Sequence, residues 1–258
     1  MTCSIIGPGL VGSFLGAASQ ATRARGRLDR EVSETVLLPC GTRRWQPAMP
    51  VDASCPTLIA TRVHQTPWNT LPPNSIAAQN GLGQPIPVVV CFMAIDRRTD
   101  GVITSVGVTP RLVIGPVSAT WQPVLAAWRA AGLVVEEVAD IRPAQWEKTI
   151  LNATVGPLCL ATGKNMAAVW NDPDLRRLVL AATAEGESIA LSQGVRIAPN
   201  LGERASAFFD RVGSHHPSIM RDQGELPSIL GHLCASARAP APALAQIALL
   251  VSAQVRFS

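Results

Sequence analysis

Apolar residues recur along this chain with two different periods, and the change from one to the other divides it. Residues 1–6 close on Ile5 and Ile6 and predict a short first strand, after which Leu10, Phe14, Leu15 and Ala18 follow at helical spacing. Arg23, Arg25, Arg27 and Arg30 then read as a charged surface connection. Strands are predicted at 34–38, 56–61 and 75–78, while Pro72 and Pro73 break any helix begun at Trp68. Apolar runs at 88–95, 101–106 and 111–114 are separated by short polar or glycine-containing turns and predict hairpin-linked strands. Trp121, Val124, Leu125 and Trp128 place a helix in 119–131, with a strand at 133–138. Beyond Pro143 strand signals almost vanish. Trp146, Ile150, Leu151 and Val155 continue at helical spacing, further helices are predicted at 174–191 and 201–212, and a last pair is split by 239–242. The expected fold class is α/β over 1–142, parallel at the start of its sheet and mixed at the end, followed by an all-helical domain over 143–258.

Between the first strand and the first helix stands Gly7-Pro8-Gly9-Leu10-Val11-Gly12, the GxGxxG pattern in its strand-to-helix context. Gly7 allows the tight turn, Gly9 removes a Cβ that would block a pyrophosphate, and Gly12 lets the helix pack closely. The unpaired N–H groups and positive dipole end of the helix then face phosphate. That context makes residues 1–142 a Rossmann-type dinucleotide-binding domain; the bland alternative is a glycine-rich turn that binds nothing. The residues after the second strand choose the cofactor, a carboxylate favouring NAD and an arginine accommodating the 2′-phosphate of NADP. With 34–38 taken as that strand, Arg43 and Arg44 point to NADPH, against the alternative that they solvate a turn.

Composition narrows the classes. Of 258 residues 47% are hydrophobic and 16% charged, and a net charge of +4 leans toward an anionic small molecule, with the arginines too dispersed for nucleic acid. Six cysteines form no CxxC or CxxH, so they read as buried small hydrophobes of a reducing cytoplasmic compartment. His215 and His216 lack a third ligand, and no metal is expected. No apolar run reaches the ~18 residues of a membrane span.

The whole chain resembles the ketopantoate reductase (2-dehydropantoate 2-reductase) family. The resemblance rests on GPGLVG, the strand running into Arg62, Gln79-Asn80-Gly81 with Leu82-Gly83, and the Gly101-Val-Ile hairpin. It continues through Trp146-Glu-Lys148-Thr-Ile-Leu-Asn152, Pro157-Leu158, Asp222, Gly224-Glu225 and the Pro240-Ala-Pro242 segment. It implies a 2-oxo acid reduced by NADPH in a cleft between a Rossmann domain and a helical domain, with 2-dehydropantoate to (R)-pantoate in pantothenate biosynthesis as the named reaction. Carried over, Lys148 is the catalytic lysine that gives a proton to the ketone oxygen, and Glu225 the acid that orients lysine or substrate. Asn80 and Asn152 anchor nicotinamide and substrate, Ser218 contacts the carboxylate, and Arg62 stands where the family usually has lysine. Independently, Lys148 and Asn152 are four apart and share a helix face, and an ammonium there suits the negative charge that hydride addition builds on oxygen. Asn80 before Gly81 is equally a plain turn signal.

Departures from the family pattern fall on polar positions. Gly156 replaces a second asparagine one turn beyond Asn152, Pro227 and Leu230 replace an aspartate and an asparagine, and the segment between Ser218 and Glu225 is shortened. They open two other readings: a relative reducing another oxo acid or an imine, and an NADP-binding protein whose catalytic set has decayed. A hinge is expected at 140–143, and the resemblance favours a homodimer built on the helical domain.

Overall fold

The computed structural model describes residues 3–25, 32–48, 51–52 and 54–255; Arg27 and Arg30 of the expected charged connection lie outside them. The chain divides into two compact units, Met1–Gln79 with Gln84–Ile141, and Asn80–Gly83 with Arg142–Ser258. The turn at 80–83 thus belongs with the helices, although it follows a strand of the first unit.

In chain order the first unit runs β1 (Ser4–Ile6), α1 (Leu10–Ser19), β2 (Arg23–Arg25), β3 (Glu34–Leu38), β4 (Gly41–Trp45), β5 (Thr57–Ile59), β6 (Ser75–Ala77), β7 (Val89–Phe92), β8 (Ile95–Arg97), β9 (Ile103–Ser105), β10 (Arg111–Ile114), α2 (Gln122–Ala130) and β11 (Val134–Glu137). A parallel sheet in the order β2-β1-β5-β6 holds the glycine motif. All three residues of β1 are buried, as a strand flanked by parallel neighbours requires. A parallel bridge from Ala77 to Val88 carries the chain toward a second sheet, β11-β10-β7, in which β10 is parallel to β11 and antiparallel to β7. The third sheet, β4-β3-β9-β8, combines two antiparallel pairs with the parallel pair β3–β9.

Two sequence expectations are corrected here. Residues 23–25 form a strand parallel to β1, with Ala24 fully buried between two arginines; a single alternation in three residues is too short a pattern to register. Glu34–Leu38 is accordingly not the second strand of the parallel sheet but pairs with β4 and β9 in the third. The run 88–95 is not one strand either. It breaks at Met93 and Ala94, both buried, so that β7 joins one sheet and β8 another. An unbroken apolar run carries no mark of such a switch.

Helix α1 packs against β1 and against β3, β4, β8 and β9, so it is buried from Gly12 through Ser19 and not along one stripe. Close approach is possible because a Cβ on Gly16 would lie 2.5 Å from the Trp45 ring. Trp45 Nε1 donates to Ala21 O at 2.8 Å and Trp128 Nε1 to Leu15 O at 3.2 Å, which satisfies the polar tips of these buried indoles. Between β5 and β6 the chain makes only 3-10 turns at Val63–Gln65 and Trp68–Thr70.

The second unit contains α3 (Arg142–Thr162), α4 (Met166–Asn171), α5 (Pro173–Ser192), α6 (Leu201–Val212), 3-10 turns at Ser218–Met220 and Gln223–Glu225, a π turn at Pro227–Gly231, α7 (His232–Ala235) and α8 (Pro242–Val255). Helix α3 is its axis, packing on α4, α5, α8 and the π turn with Ile150, Ala153, Leu158 and Cys159 fully buried. Gly186 of α5 makes room for it, since a Cβ there would sit 2.7 Å from Ile150 Cγ2. Helix starts are capped by side chains: Asn165 Oδ1 accepts from Ala168 N at 2.9 Å, and Asp172 Oδ1 from Asp174 N and Leu175 N. Glu185 of α5 reaches the first turn of α8, accepting from Ala243 N at 2.8 Å and Leu244 N at 2.9 Å. Among the described residues no helix is long and apolar enough to cross a membrane.

Candidate active site

The glycine loop is built by its neighbours. Gly7 lies at φ +85, where a Cβ would meet Thr61 N at 2.6 Å, and its N–H donates to Arg25 O at 3.0 Å. A Cβ on Gly12 would strike Gly7 O at 2.2 Å and approach Ala60 Cβ at 3.1 Å, so this glycine closes the helix onto the loop itself. Gly9 differs from both. A Cβ on it would have nothing within 4 Å, and as N-cap of α1 it supplies no side chain to the first turn. Pro8, Leu10 and Val11 complete the loop, with Pro8 O accepting from Ser13 Oγ at 3.0 Å. Open space at Gly9 beside uncapped helix N–H groups is the shape and polarity that a pyrophosphate needs.

Arg62 follows β5 as N-cap of the first 3-10 turn. Beside it Gln79, not singled out from the sequence, ties the strand ends together. Its Nε2 donates to Thr61 O at 2.8 Å and Thr66 Oγ1 at 2.6 Å, while its buried Oε1 has no partner among the described residues.

Arg43 and Arg44 lie elsewhere. Both are in β4, and Arg43 donates from one guanidinium nitrogen to Ala17 O at 2.6 Å and Ala18 O at 3.4 Å, at the C-terminal end of α1. A ten-residue helix spans about 15 Å, so this cation neutralises the end of α1 opposite the glycine loop. The premise of assigning these arginines to the 2′-phosphate, that β3 is the second parallel strand, is therefore corrected. That place belongs to β2, whose last residue is Arg25.

The remaining site residues gather in the second unit. Asn152 Nδ2 donates to Asn80 Oδ1 at 2.9 Å, Asn80 Nδ2 donates to Glu225 Oε1 at 3.5 Å, and Ser218 Oγ donates to Glu225 Oε2 at 3.1 Å. Glu225 is only 2% exposed, and both oxygens of its buried carboxyl group are met by side-chain donors. Lys148 is half-buried one turn before Asn152 on α3. The Asn80 turn is held from below, because Gly81 at φ +91 leaves no room for a Cβ, which would lie 2.5 Å from Ser228 O. Ser228 Oγ in turn donates to Glu225 O at 2.9 Å. Sequence reasoning missed Ser228, and only the residue following the shortened segment could have drawn attention to it. The second amide hydrogen of Asn152 can hold a carbonyl or carboxylate oxygen, with an ammonium one helical turn away, while the hydroxyl hydrogen of Ser218 is given to Glu225.

Two thiols are excluded as nucleophiles at ordinary pH. Burial pushes Cys3 and Cys159 up to about 12.

Comparison with known proteins agrees with this architecture. Residues 140–254 match the family model described as "Ketopantoate reductase PanE/ApbA C terminal". A 2-dehydropantoate 2-reductase from Mesorhizobium japonicum is 33% identical over 92 residues, which span 36% of this chain and 28% of that relative. The 2-dehydropantoate 2-reductase of Geobacter metallireducens has the same fold, with a TM-score of 0.81 at 20% identity over 98% of this chain and 99% of that one. A dimeric ketopantoate reductase from Staphylococcus aureus gives 0.77 at 19% identity, covering 100% and 99%. D-Mandelate dehydrogenase, solved with NADH and anilino(oxo)acetate, gives 0.79 at 15% identity, covering 100% and 99%. The structural matches speak for the fold; the family match covers α3 through most of α8, a stretch that includes Lys148, Asn152, Ser218 and Glu225. Residues 140–254 thus carry the sequence pattern of the ketopantoate reductase C-terminal domain, and the chain as a whole shares the fold of these enzymes.

Proposed function

We propose that the protein reduces a 2-oxo acid to the 2-hydroxy acid with NADPH. The observation that carries this reading is the hydrogen-bonded chain Asn152–Asn80–Glu225–Ser218, which joins residues 72 and 145 positions apart into one half-buried cluster beside Lys148. The glycine loop fits a dinucleotide, since Gly9 leaves open space where a pyrophosphate lies against uncapped N–H groups. NADPH, when bound, supplies the hydride that reaches the carbonyl carbon.

The chain's own residues supply the rest. Lys148 donates a hydrogen bond to the ketone oxygen and passes its proton to it as negative charge develops there. Asn152 positions the substrate, Ser218 turns its hydroxyl hydrogen from Glu225 to the substrate carboxylate, and Glu225 holds Asn80 in place. Arg25, in β2 and next to Gly7, is the cation that accommodates the 2′-phosphate in this reading, in place of Arg43 and Arg44. Arg62 follows β5 of the parallel sheet, on the strand-end edge at which ligands bind in such folds. A homodimer is the assembly this reading favours, as in the Staphylococcus aureus relative.

Within this class 2-dehydropantoate is the reference substrate, being the one named for the curated relative. A second substrate reading is favoured by Gly156, where no side chain extends the polar face of α3. NADPH oxidation by purified protein against a panel of 2-oxo acids tests the proposal. Saturable turnover that is lost in Lys148→Ala while NADPH binding persists supports it; binding without turnover on any panel member rejects it in favour of a protein that only binds NADP.

A further inference from the structure

The chain leaving β5 packs against the glycine loop. Ala60 N donates to Ile6 O at 2.8 Å, a Cβ on Gly12 would lie 3.1 Å from Ala60 Cβ, and a Cβ on Gly7 would lie 2.6 Å from both Thr61 N and Thr61 Cγ2. Thr61 thus turns its methyl group to Gly7. Its hydroxyl meets Thr66 Oγ1 at 2.9 Å, so the two groups on its Cβ are committed to different neighbours and one rotamer serves both.

Thr66, 8% exposed, is the centre of this knot. Its hydroxyl donates to Arg62 O at 2.9 Å. Having given its one hydrogen, Thr66 Oγ1 accepts from the Thr61 hydroxyl and from Gln79 Nε2, the latter at 2.6 Å. The other hydrogen of Gln79 Nε2 goes to Thr61 O at 2.8 Å. One amide therefore fixes the peptide groups on both sides of Arg62, directly at Thr61 O and through Thr66 at Arg62 O. Gln79 gains nothing comparable for its own carbonyl, because the buried Oε1 has no partner among the described residues. That orphan acceptor costs stability that a hydrocarbon side chain of the same length would not lose, so the amide is explained by what its two hydrogens hold in place.

We propose that Gln79, acting through Thr66 and Thr61, positions the glycine loop and Arg62 to receive the dinucleotide. Gln79 is a positioning residue: it sets the turn on which Gly7 rests and the direction in which the Arg62 cation leaves the chain, beside helix N–H groups that face phosphate. A loop ordered in advance binds more tightly because less freedom is lost on binding. The inference rests on the dinucleotide reading of the glycine loop and adds the side chains that hold the loop ready.

The test is a fluorescence titration of NADPH into the full chain, beside thermal melting. Gln79→Met keeps the length of the side chain and removes both donors together with the orphan acceptor. It is expected to melt within about 3 °C of the parent and to raise the Kd for NADPH at least about tenfold, the weight of one hydrogen bond. Thr66→Val should weaken NADPH to a similar degree, while Thr66→Ser, which keeps the hydroxyl, should bind within about threefold of the parent. Combining Gln79→Met with Thr66→Val should add no more than about threefold to either alone, because the two act along one chain of hydrogen bonds. Parental NADPH binding by Gln79→Met overturns the inference while leaving the dinucleotide reading intact. So does binding lost equally in Thr66→Ser and Thr66→Val, or a double variant in which the two losses multiply. A parent protein that binds neither NADPH nor NADH overturns the dinucleotide reading and this inference with it. Should Gln79→Met fail to fold, the Thr66→Val and Thr66→Ser pair decides alone.

Discussion

Asn152 donates from its side-chain amide to Asn80 Oδ1 at 2.9 Å, across 72 residues of intervening chain. The bond orients Asn80 so that its own amide reaches Glu225 Oε1. Removing the donor should therefore disturb two residues that Asn152 does not adjoin in sequence. Asn152→Ala is expected to lower kcat/KM for the oxo acid by about a hundredfold, the usual effect of losing one fixed donor at a developing oxyanion, with NADPH affinity changed by less than about threefold. Steady-state kinetics beside a fluorescence titration of NADPH would show this, and an unchanged kcat/KM would remove Asn152 from the site.

Arg25 and Arg43 separate a cofactor role from a structural one. Arg43 places its cation on the last carbonyls of α1, an arrangement worth about 1–2 kcal/mol when partly buried. At about 2–4 °C per kcal/mol for a chain of this size, Arg43→Ala should lower the melting midpoint by a few degrees and leave the NADPH-to-NADH preference unchanged. Arg25→Ala should do the reverse, reducing that preference at least tenfold with little change in melting. Should Arg43→Ala be the variant that alters preference, the 2′-phosphate would lie against β4 and not against β2.

The two arginines show where the sequence was legible and where it was not. GPGLVG and the Lys148/Asn152 face could be read because each is a local pattern: fixed glycine spacing, and two residues one helical turn apart. The strand containing Arg25 could not, because three residues with one buried alanine give no period to recognise. The break between β7 and β8 was hidden for the opposite reason, Met93 and Ala94 being as buried as the strands they separate. Ser218 and Glu225 came from family resemblance alone, since 3-10 and π turns have no hydrophobic repeat. That Asn80 belongs with the helices was also out of reach, for it depends on Gly81 meeting the backbone of Ser228, 147 positions later in the chain.

Glu185 offers a test of how the helical unit is held. Its two carboxylate oxygens accept from consecutive N–H groups at the start of α8, from a helix that precedes it by some fifty residues. Glu185→Gln keeps one acceptor and Glu185→Ala keeps none, so stability should fall in that order, by about 1–2 kcal/mol for the alanine variant. Thermal or urea unfolding measures this. Equal stability of the alanine variant and the parent would mean that solvent caps α8 as well as the carboxylate does.

Buried thiols predict an alkaline limit. Cys3 and Cys159 rise from 9.0 to about 12 because burial disfavours the thiolate. A group whose folded value is raised binds its proton more tightly in the fold. Its contribution is complete below about pH 9 and is lost as the pH rises from 9 toward 12. The melting midpoint should fall across that window, and Cys3→Ala or Cys159→Ala should flatten the fall. Iodoacetamide at pH 8 should label the exposed Cys40 well before either buried thiol; early labelling of Cys3 would contradict the burial on which the argument stands.

The three glycines of the loop make the sharpest distinction between folding and binding. Gly7 cannot accept a side chain, because φ +85 is strained for one and the added atom would meet Thr61 N at 2.6 Å. Nor can Gly12, whose Cβ would lie 2.2 Å from Gly7 O. Gly9 has an ordinary φ of −73 and nothing within 4 Å of the same added atom, so within the protein alone its lack of a side chain serves no packing purpose. The open space acquires one only if a phosphate group must approach that backbone. Gly9→Ala should therefore melt within about 1 °C of the parent and bind NADPH at least about a hundredfold more weakly. Gly7→Ala and Gly12→Ala should lose several degrees of stability along with binding, the familiar cost of a steric change against backbone. A Gly9→Ala protein that folds and binds NADPH at parental strength would show that the space is not where the pyrophosphate lies, and the dinucleotide would have to be sought at another edge of the first unit.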